Sequence, residues 1–515
     1  MKKYLWAIRG YIILGIVLNL IEAFLTSLFL LFPGWIVDNY HKGLSYILCL
    51  TALYSGIFVL YLINAYFSNR VSDYRRIKFE KEIKKDFFNS TIGRDYESFH
   101  EYSNAGYISM QANDITEMCQ NYLSPLLAIY RSILLILVFG ISLVLFVNVW
   151  VALVILIFSI LVVFVPRITA KKLAQKNEVY YARLGNYTNV IKNFFDAHDI
   201  LDSSSRKTIT ALHDDELDDV LNSNMSFRKT NSLAMVINGG AVEFVAVITF
   251  IVVALLLFHN QITVGMATIS FTYSTRFIEP IYELNVCLGK VNSVRKVQKK
   301  LLGIINESKH QENRAIKKFR TIETSALHKQ YKHASIHLPS LSLSFPKKYL
   351  ITGENGTGKS VLLRLLMNFE KPNHGVIRHD GEGNLDVSES VCYLPQKVVI
   401  FNGSYEDNVT IYQTYDSSRL ERYESLFPKA IIQHIKENED LHKLSGGEKQ
   451  VIALLRGLCS NKDILLMDEP FAAMNTLTIE HFVKRMDQID RMLVIVAHNM
   501  ENYVELFDEE IIVVR

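Results

Sequence analysis

The segment YLITGENGTGKSVLLRLLMNF, residues 349–369, reads as a strand, a glycine-rich turn and a helix. Residues 353–360 within it fit the pattern G-x-x-x-x-G-K-[ST]. Gly353, Gly356 and Gly358 let the backbone turn inward. With Glu354, Asn355 and Thr357 they form a loop whose N–H groups can cradle phosphate oxygens at a helix N-terminus. In such a loop Lys359 reaches the β- and γ-phosphates and the Ser360 hydroxyl binds Mg²⁺. A nucleotide site on an α/β sheet is the expectation.

Working outward, ILLMDE (residues 464–469) is a buried strand ending in two carboxylates. Asp468 is placed to hold Mg²⁺ through its water shell, and Glu469 to polarise an attacking water. Between the two motifs lies LSGGEKQ, residues 444–450. Ser445 and the backbone of Gly446, Gly447 and Glu448 can bind a γ-phosphate at a second helix start. The order of these three motifs resembles that of ATP-binding cassette (ABC) proteins. That resemblance implies ATP and Mg²⁺ as cofactors, with two cassettes sandwiching two ATP molecules, each signature facing the opposite subunit. It further implies a Q-loop role for Gln396 near Mg²⁺, a switch role for His498 at the γ-phosphate, and adenine stacking by Tyr331. One position departs from the family: Asn475 stands where an aspartate is usual, which makes an asymmetric heterodimer more plausible.

The N-terminal part differs in kind. A bilayer core of ~30 Å needs about 20 apolar helical residues. Six stretches qualify, at 11–33, 45–67, 124–147, 149–166, 233–258 and 263–285. The first follows Lys2, Lys3 and Arg9 but is too long for a cleaved signal, so it reads as a retained span. The links after the second and fourth spans are about 55–65 residues long, rich in Lys and Arg, and spaced as helices, so they face the cytosol. They read as helical hairpins, with tips near Tyr96–Asn113 and Phe194–Ser204. Within the spans, Glu22 and Glu243 either line a cavity for cationic or peptide cargo or pair with Arg131 or Arg276.

Composition excludes other classes. A net charge of +3 is too small to argue for nucleic acid, and five scattered cysteines lack metal-type spacing. The expected architecture is an all-α six-helix transmembrane domain (1–290), a linker (291–318) and an α/β P-loop ATPase domain (319–515). The chain resembles an exporter-type half-transporter. The resemblance implies ATP-driven export of a peptide, lipid or drug-like substrate across the plasma membrane, in partnership with an identical or similar half. N-terminus and ATPase domain are expected in the cytosol. A membrane-anchored ATP-binding sensor or immunity protein is the alternative, as is an importer sharing the fold.

Overall fold

Most of the apolar runs of the N-terminal part become helices that continue far past the length a bilayer needs. In the computed structural model α1 spans Arg9–Asn39, α2 Leu44–Ile92, α3 Ser124–Phe146, α4 Val149–Asp196, α5 Ser203–Phe258, α6 Val264–Ser293 and α7 Arg295–Glu307. Residues 1–307, 318–331, 334–383, 385–498 and 500–513 are described. They divide into two compact units, Met1–Ile92 with Asn104–Asn306, and Gly93–Ser103 with Glu307–Arg515.

Within the helical unit, α4 and α5 are the charged hairpin that the sequence implied, closed by a short turn at His198–Ile200. The first tip is shorter than expected. Helix resumes at Asn104, so the turn ends at Ser103 rather than near Asn113. Among the described residues, five helices are long and apolar enough to cross a membrane. The expected sixth span, α6, is continuous but carries Arg276, Glu279 and Glu283, and falls outside that set. Its other face is buried against α1, α3, α4 and α5, while Arg276 and Glu279 stay exposed and pair with each other at 3.7 Å. Tyr273, fully buried, donates to the Ser27 carbonyl at 3.0 Å, and its hydroxyl lies 2.8 Å from that of Ser27. At its start α6 meets α1 backbone to backbone. A Cβ on Gly265 would fall 2.3 Å from the Gly34 carbonyl oxygen, and Asp38 accepts the Gly265 N–H at 2.7 Å. The expected linker (291–318) begins as helix instead. Val294, Leu301, Ile304 and Ile305 are buried among the lysines that made the segment look solvated. Residues 308–317 of it lie outside the described residues.

The second unit is built on a five-stranded parallel sheet. Its strands are β1 (Lys348–Thr352), β2 (Val391–Leu394), β3 (Ile464–Asp468), β4 (Met492–Val496) and β5 (Glu509–Ile512), in spatial order β5-β1-β4-β3-β2. Alternate residues fill two cores, because strand side chains point to opposite faces. Leu350, Leu465, Met467, Leu493 and Ile495 pack on one side, and Tyr349, Ile351, Leu466, Val494 and Val496 on the other. Both faces are covered, as an all-parallel sheet requires. A four-stranded antiparallel sheet and a two-stranded hairpin (Leu327–Gln330 with Ser335–Leu338) complete the unit.

The strand register brings three loops to one edge of this sheet. Val496 lies beside Asp468, and Ile351 beside Val496, so the C-terminal ends of β1, β3 and β4 finish level. Ligands of open α/β sheets bind at such strand ends.

A candidate nucleotide site at the ends of three strands

β1 ends at Thr352 and α8 (Lys359–Leu366) begins seven residues later, with the phosphate loop between them. Gly353, Gly356 and Gly358 have φ of 144°, 85° and 99°, a region that glycine enters without steric cost. Two of them are also required by close approach. A Cβ on Gly353 would lie 2.2 Å from the Val513 carbonyl oxygen, and one on Gly358 would lie 2.4 Å from Ile336 Cγ2. Lys359 Nζ folds back over the loop and donates to the carbonyls of Gly353 and Glu354, each at 2.8 Å. Thr357 Oγ1 donates to the Glu354 carbonyl at 3.0 Å.

Ser360 stands on the first turn of α8, facing the end of β3. Its hydroxyl donates to Asp468 Oδ1 at 2.9 Å, and Tyr393 donates to Asp468 Oδ2 at 3.2 Å. Burial lifts the Asp468 carboxyl above the ordinary range and neighbouring Glu469 adds to the rise, while the bonds from Ser360 and Tyr393 oppose it. A cation beside this hydroxyl–carboxylate pair would reverse that burial penalty, and its all-oxygen character suits a hard ion such as Mg²⁺. The loop, the lysine and this pair thus fit a Mg²⁺–nucleotide.

Glu469 is the next residue and its backbone leaves the strand abruptly, at φ 49°. Such left-handed positions in non-glycine residues cluster at functional sites. The turn is held by a hydrogen bond from the Glu469 N–H to the Val496 carbonyl at 2.9 Å. Two side chains from elsewhere in the sheet converge on its carboxylate. Gln396 Nε2 donates to Oε2 at 2.7 Å, and His498 Nε2 lies 3.5 Å from Oε1. Gln396 follows β2 and His498 follows β4. Gln396 meets Glu469 and, among the described residues, makes no hydrogen bond to Ser360 or Asp468.

The signature residues form a separate device. Ser445 caps α9 (Gly446–Cys459) in a reciprocal capping box with Glu448, its hydroxyl donating to Glu448 Oε2 at 2.7 Å. Although burial pushes the other way, bonds from Ser445 and His434 hold the Glu448 carboxyl below its usual range. Gly446 and Gly447 lack side chains because the 472–475 loop lies on them. A Cβ on Gly447 would fall 2.7 Å from the Ala473 carbonyl oxygen. Among the described residues no hydrogen bond joins Ser445–Glu448 to the phosphate loop. Asn475 caps α10 (Thr476–Val483), accepting the Thr478 N–H at 2.8 Å.

Tyr331 points elsewhere than to solvent. Its hydroxyl donates to Glu370, which also accepts Arg364 Nε at 2.7 Å and lies 3.7 Å from Lys329 Nζ. Burial and the Glu370 carboxylate push the phenol up to about 12. The first hairpin tip belongs to this neighbourhood. Tyr96 stacks on Phe369 with ring centres 4.7 Å apart and planes 4° from parallel, and Glu97 meets Lys329 at 3.3 Å. The sequence reading passed over Glu370, Phe369, Tyr393 and Gln450. Gln450, the last residue of LSGGEKQ, is buried, accepts the Ala473 N–H at 2.8 Å and donates to the Glu469 carbonyl at 3.4 Å. Its place in the motif was the available signal; Glu370 had none.

Comparison with known proteins agrees with this geometry. Residues 12–281 match the family described as ABC transporter transmembrane region, and residues 337–472 that described as ABC transporter. The chain is 28% identical over 270 residues to a lactococcin transport/processing ATP-binding protein (LcnC-like) of Lactococcus lactis, covering 48% of this chain and 37% of that one. It is 31% identical over 212 residues to the mitochondrial iron-sulfur clusters transporter ABCB7 of Danio rerio, covering 38% and 28%. It therefore spans well under half the length of these relatives. A bacterial Atm1-family ABC exporter with ATP bound shares the fold at a TM-score of 0.78 and 16% identity, over 100% of this chain and 93% of that one. With a transmembrane region that matches over more than half its length, joined to an ABC cassette, the chain belongs to the ABC transporter family.

Proposed function

We propose that the protein is one half of an ATP-driven exporter that works by alternating access. The observation that carries this reading is the convergence of Gln396 and His498 on Glu469, one residue beyond the Asp468–Ser360 pair. Three loops that follow three different strands meet at one carboxylate. In this reading Glu469 accepts a proton from, or orients, the attacking water. His498 and Gln396 fix the carboxylate and sense the γ-phosphate, and Lys359 releases its loop carbonyls to neutralise phosphate charge. Ser360 and Asp468 would hold Mg²⁺, which would supply positive charge against the charge that develops on the phosphates.

A partner half supplies the missing signature. Both donors of Ser445 are engaged by Glu448, and among the described residues the start of α9 makes no hydrogen bond to the phosphate loop of its own chain. It therefore suits a phosphate held by a second cassette, identical or similar, for which Glu448 would give way. Closure on ATP then shifts the membrane domain only by its differential affinity for the closed state. The Lys- and Arg-rich hairpins support an orientation with the ATPase domain on the cytosolic side.

For cargo, a cavity of about 440 Å³ opens among α4, α5 and α6, lined by Val162, Val163, Met235 and Tyr282. Ser159 and Asn238 are also among its lining residues, although Ser159 Oγ and Asn238 Oδ1 are themselves covered and have no hydrogen-bond partner among the described residues. A mainly apolar lining with a few polar residues favours an amphipathic cargo. The names of relatives, which include bacteriocin transport/processing proteins, are compatible with a peptide.

The test is Mg²⁺-dependent ATPase activity of the chain alone in nanodiscs, beside Glu469→Gln. Turnover that falls by roughly 10²–10⁴ in the variant, with ATP still bound, is the expected result. Equal turnover in both proteins would remove Glu469 from the chemistry. Bound ATP without turnover in the wild type would point to a different partner half or to the ATP-binding sensor, which co-purification of a second half separates.

A further inference from the structure

The polar stripe of α2 carries a second feature. Tyr61, Ser68, Asn69, Ser72 and Arg75 lie on one face of that helix and line a cavity of about 320 Å³. The opposite walls are Gly15, Asn19 and Glu22 on α1 and Ser124 and Arg131 on α3. At one end the charges are matched. Arg131 Nη2 and Nε hold the two oxygens of Glu22 at 2.7 and 3.2 Å, and Nη1 lies 3.5 Å from Glu283. Glu22 is therefore not free to attract a cation, and the pairing expectation for it holds. Glu243, the other carboxylate singled out, is exposed on α5 and lines neither cavity.

The other end is unmatched. Arg75 is 8% exposed, and among the described residues no carboxylate lies within 4 Å of it. Its one hydrogen bond goes to Ser72 Oγ at 3.2 Å. The backbone makes deliberate room for this cation, because a Cβ on Gly15 would fall 2.6 Å from Arg75 Nη1. A buried guanidinium without a counter-charge is costly, and its planar fork of donors matches a carboxylate or phosphate. Arg75 sits beyond the apolar segment 45–67 of its helix, where headgroups and solutes meet the bilayer edge.

We propose that this cavity binds an anionic group, a phosphate or carboxylate, on Arg75, with the α2 serines and asparagine as supporting donors. The site goes beyond the transport reading and does not depend on it. Two sources share the chemistry, a lipid headgroup and a water-soluble anion.

Binding is measured without ATP, on the full chain in nanodiscs. Phosphatidylglycerol mixed into phosphatidylcholine is the lipid probe, read by native mass spectrometry. Glycerol 3-phosphate added to pure phosphatidylcholine discs is the soluble probe, read by calorimetry. Wild type is expected to bind one of them, and Arg75→Gln to weaken it by roughly tenfold or more, as loss of a charge-assisted fork should. Gly15→Ala keeps the charge but displaces it, so it should weaken the same probe, while Arg75→Lys should restore part of the affinity. ATP affinity, unchanged in every variant, checks folding. The probe that binds identifies the source. No binding of either anion by wild type, or binding by Arg75→Gln and Gly15→Ala as tight as that of wild type, overturns the proposal. Failure of ATP hydrolysis with anion binding intact would count against the exporter reading alone.

Discussion

Replacing Glu370 by glutamine should destabilise the ATPase unit at neutral pH and make it less sensitive to acid. Glu370 is 8% exposed and sits between Arg364 Nε at 2.7 Å, Lys329 Nζ at 3.7 Å and the Tyr331 hydroxyl. Burial alone would raise its pKa, but the bonds from Tyr331 and Arg364 outweigh it and hold the carboxyl below the usual range. A depressed folded pKa means that the unfolded chain binds more protons in the acid range. The stabilisation is then fully present above the unfolded pKa near 4.3 and is lost as pH falls through the folded one. Glutamine keeps the shape but leaves two partly buried cations without this counter-charge. The cost should be about 3 kcal/mol, where the range for losing a charged hydrogen bond meets that for breaking a buried pair. Hydrogen exchange of the Lys359–Leu366 amides in the full chain reads this as an opening free energy. The difference between wild type and Glu370→Gln should be constant near pH 7, shrink below about pH 4.3 and vanish in stronger acid. A difference that is absent at pH 7, or that grows on acidification, would refute the argument.

Gly265→Ala should unsettle the helical unit. Its Cβ would meet the Gly34 carbonyl at 2.3 Å and Asp38 at the same distance, contacts in rigid backbone and in a capping side chain. Overpacking of this kind costs about 1–3 kcal/mol, and thermal unfolding in nanodiscs should show an earlier transition, whereas Gly140→Ala, with open space at its Cβ, should not. At Asn475, alanine should lower stability by about 1 kcal/mol through loss of the α10 cap, while Asn475→Asp should retain it. Urea unfolding separates the two, and an aspartate variant as unstable as alanine would remove capping as the explanation.

How much of the fold and the site was legible in the sequence depends on the range of the interactions. The runs 391–394, 464–467 and 493–496 announce strands by local apolar density, and the glycines of 353–360 announce a phosphate loop, because both depend on neighbours in the chain. The long hairpins were legible for the same reason, since helical spacing persists without interruption past each span. The sixth span was legible as a helix, its Arg276 included, but its burial against four other helices was not. Pairings such as Glu22 with Arg131, or Tyr331 with Glu370, join positions 109 and 39 residues apart. Nothing local in the sequence selects those partners over other charged residues nearby. The helix at Arg295–Glu307 was obscured by its lysines, which hide buried leucine and isoleucine at helical spacing.

The stacking of Tyr96 on Phe369 has a consequence for how the molecule is made. Residues 93–103 belong to the ATPase unit, yet they leave the ribosome some 270 residues ahead of the ring that covers them. At ~5–20 residues per second that is a wait of roughly 15–55 s. During it, Tyr96 stands without its stacking partner on a newly made hairpin, a target for holding chaperones. For the same reason the C-terminal half produced by itself lacks one piece of its own structure. It would present the face of Phe369 that Tyr96 covers, although Tyr393 still packs on the ring edge-on, so its solubility is a poor guide to the stability of the unit within the whole chain.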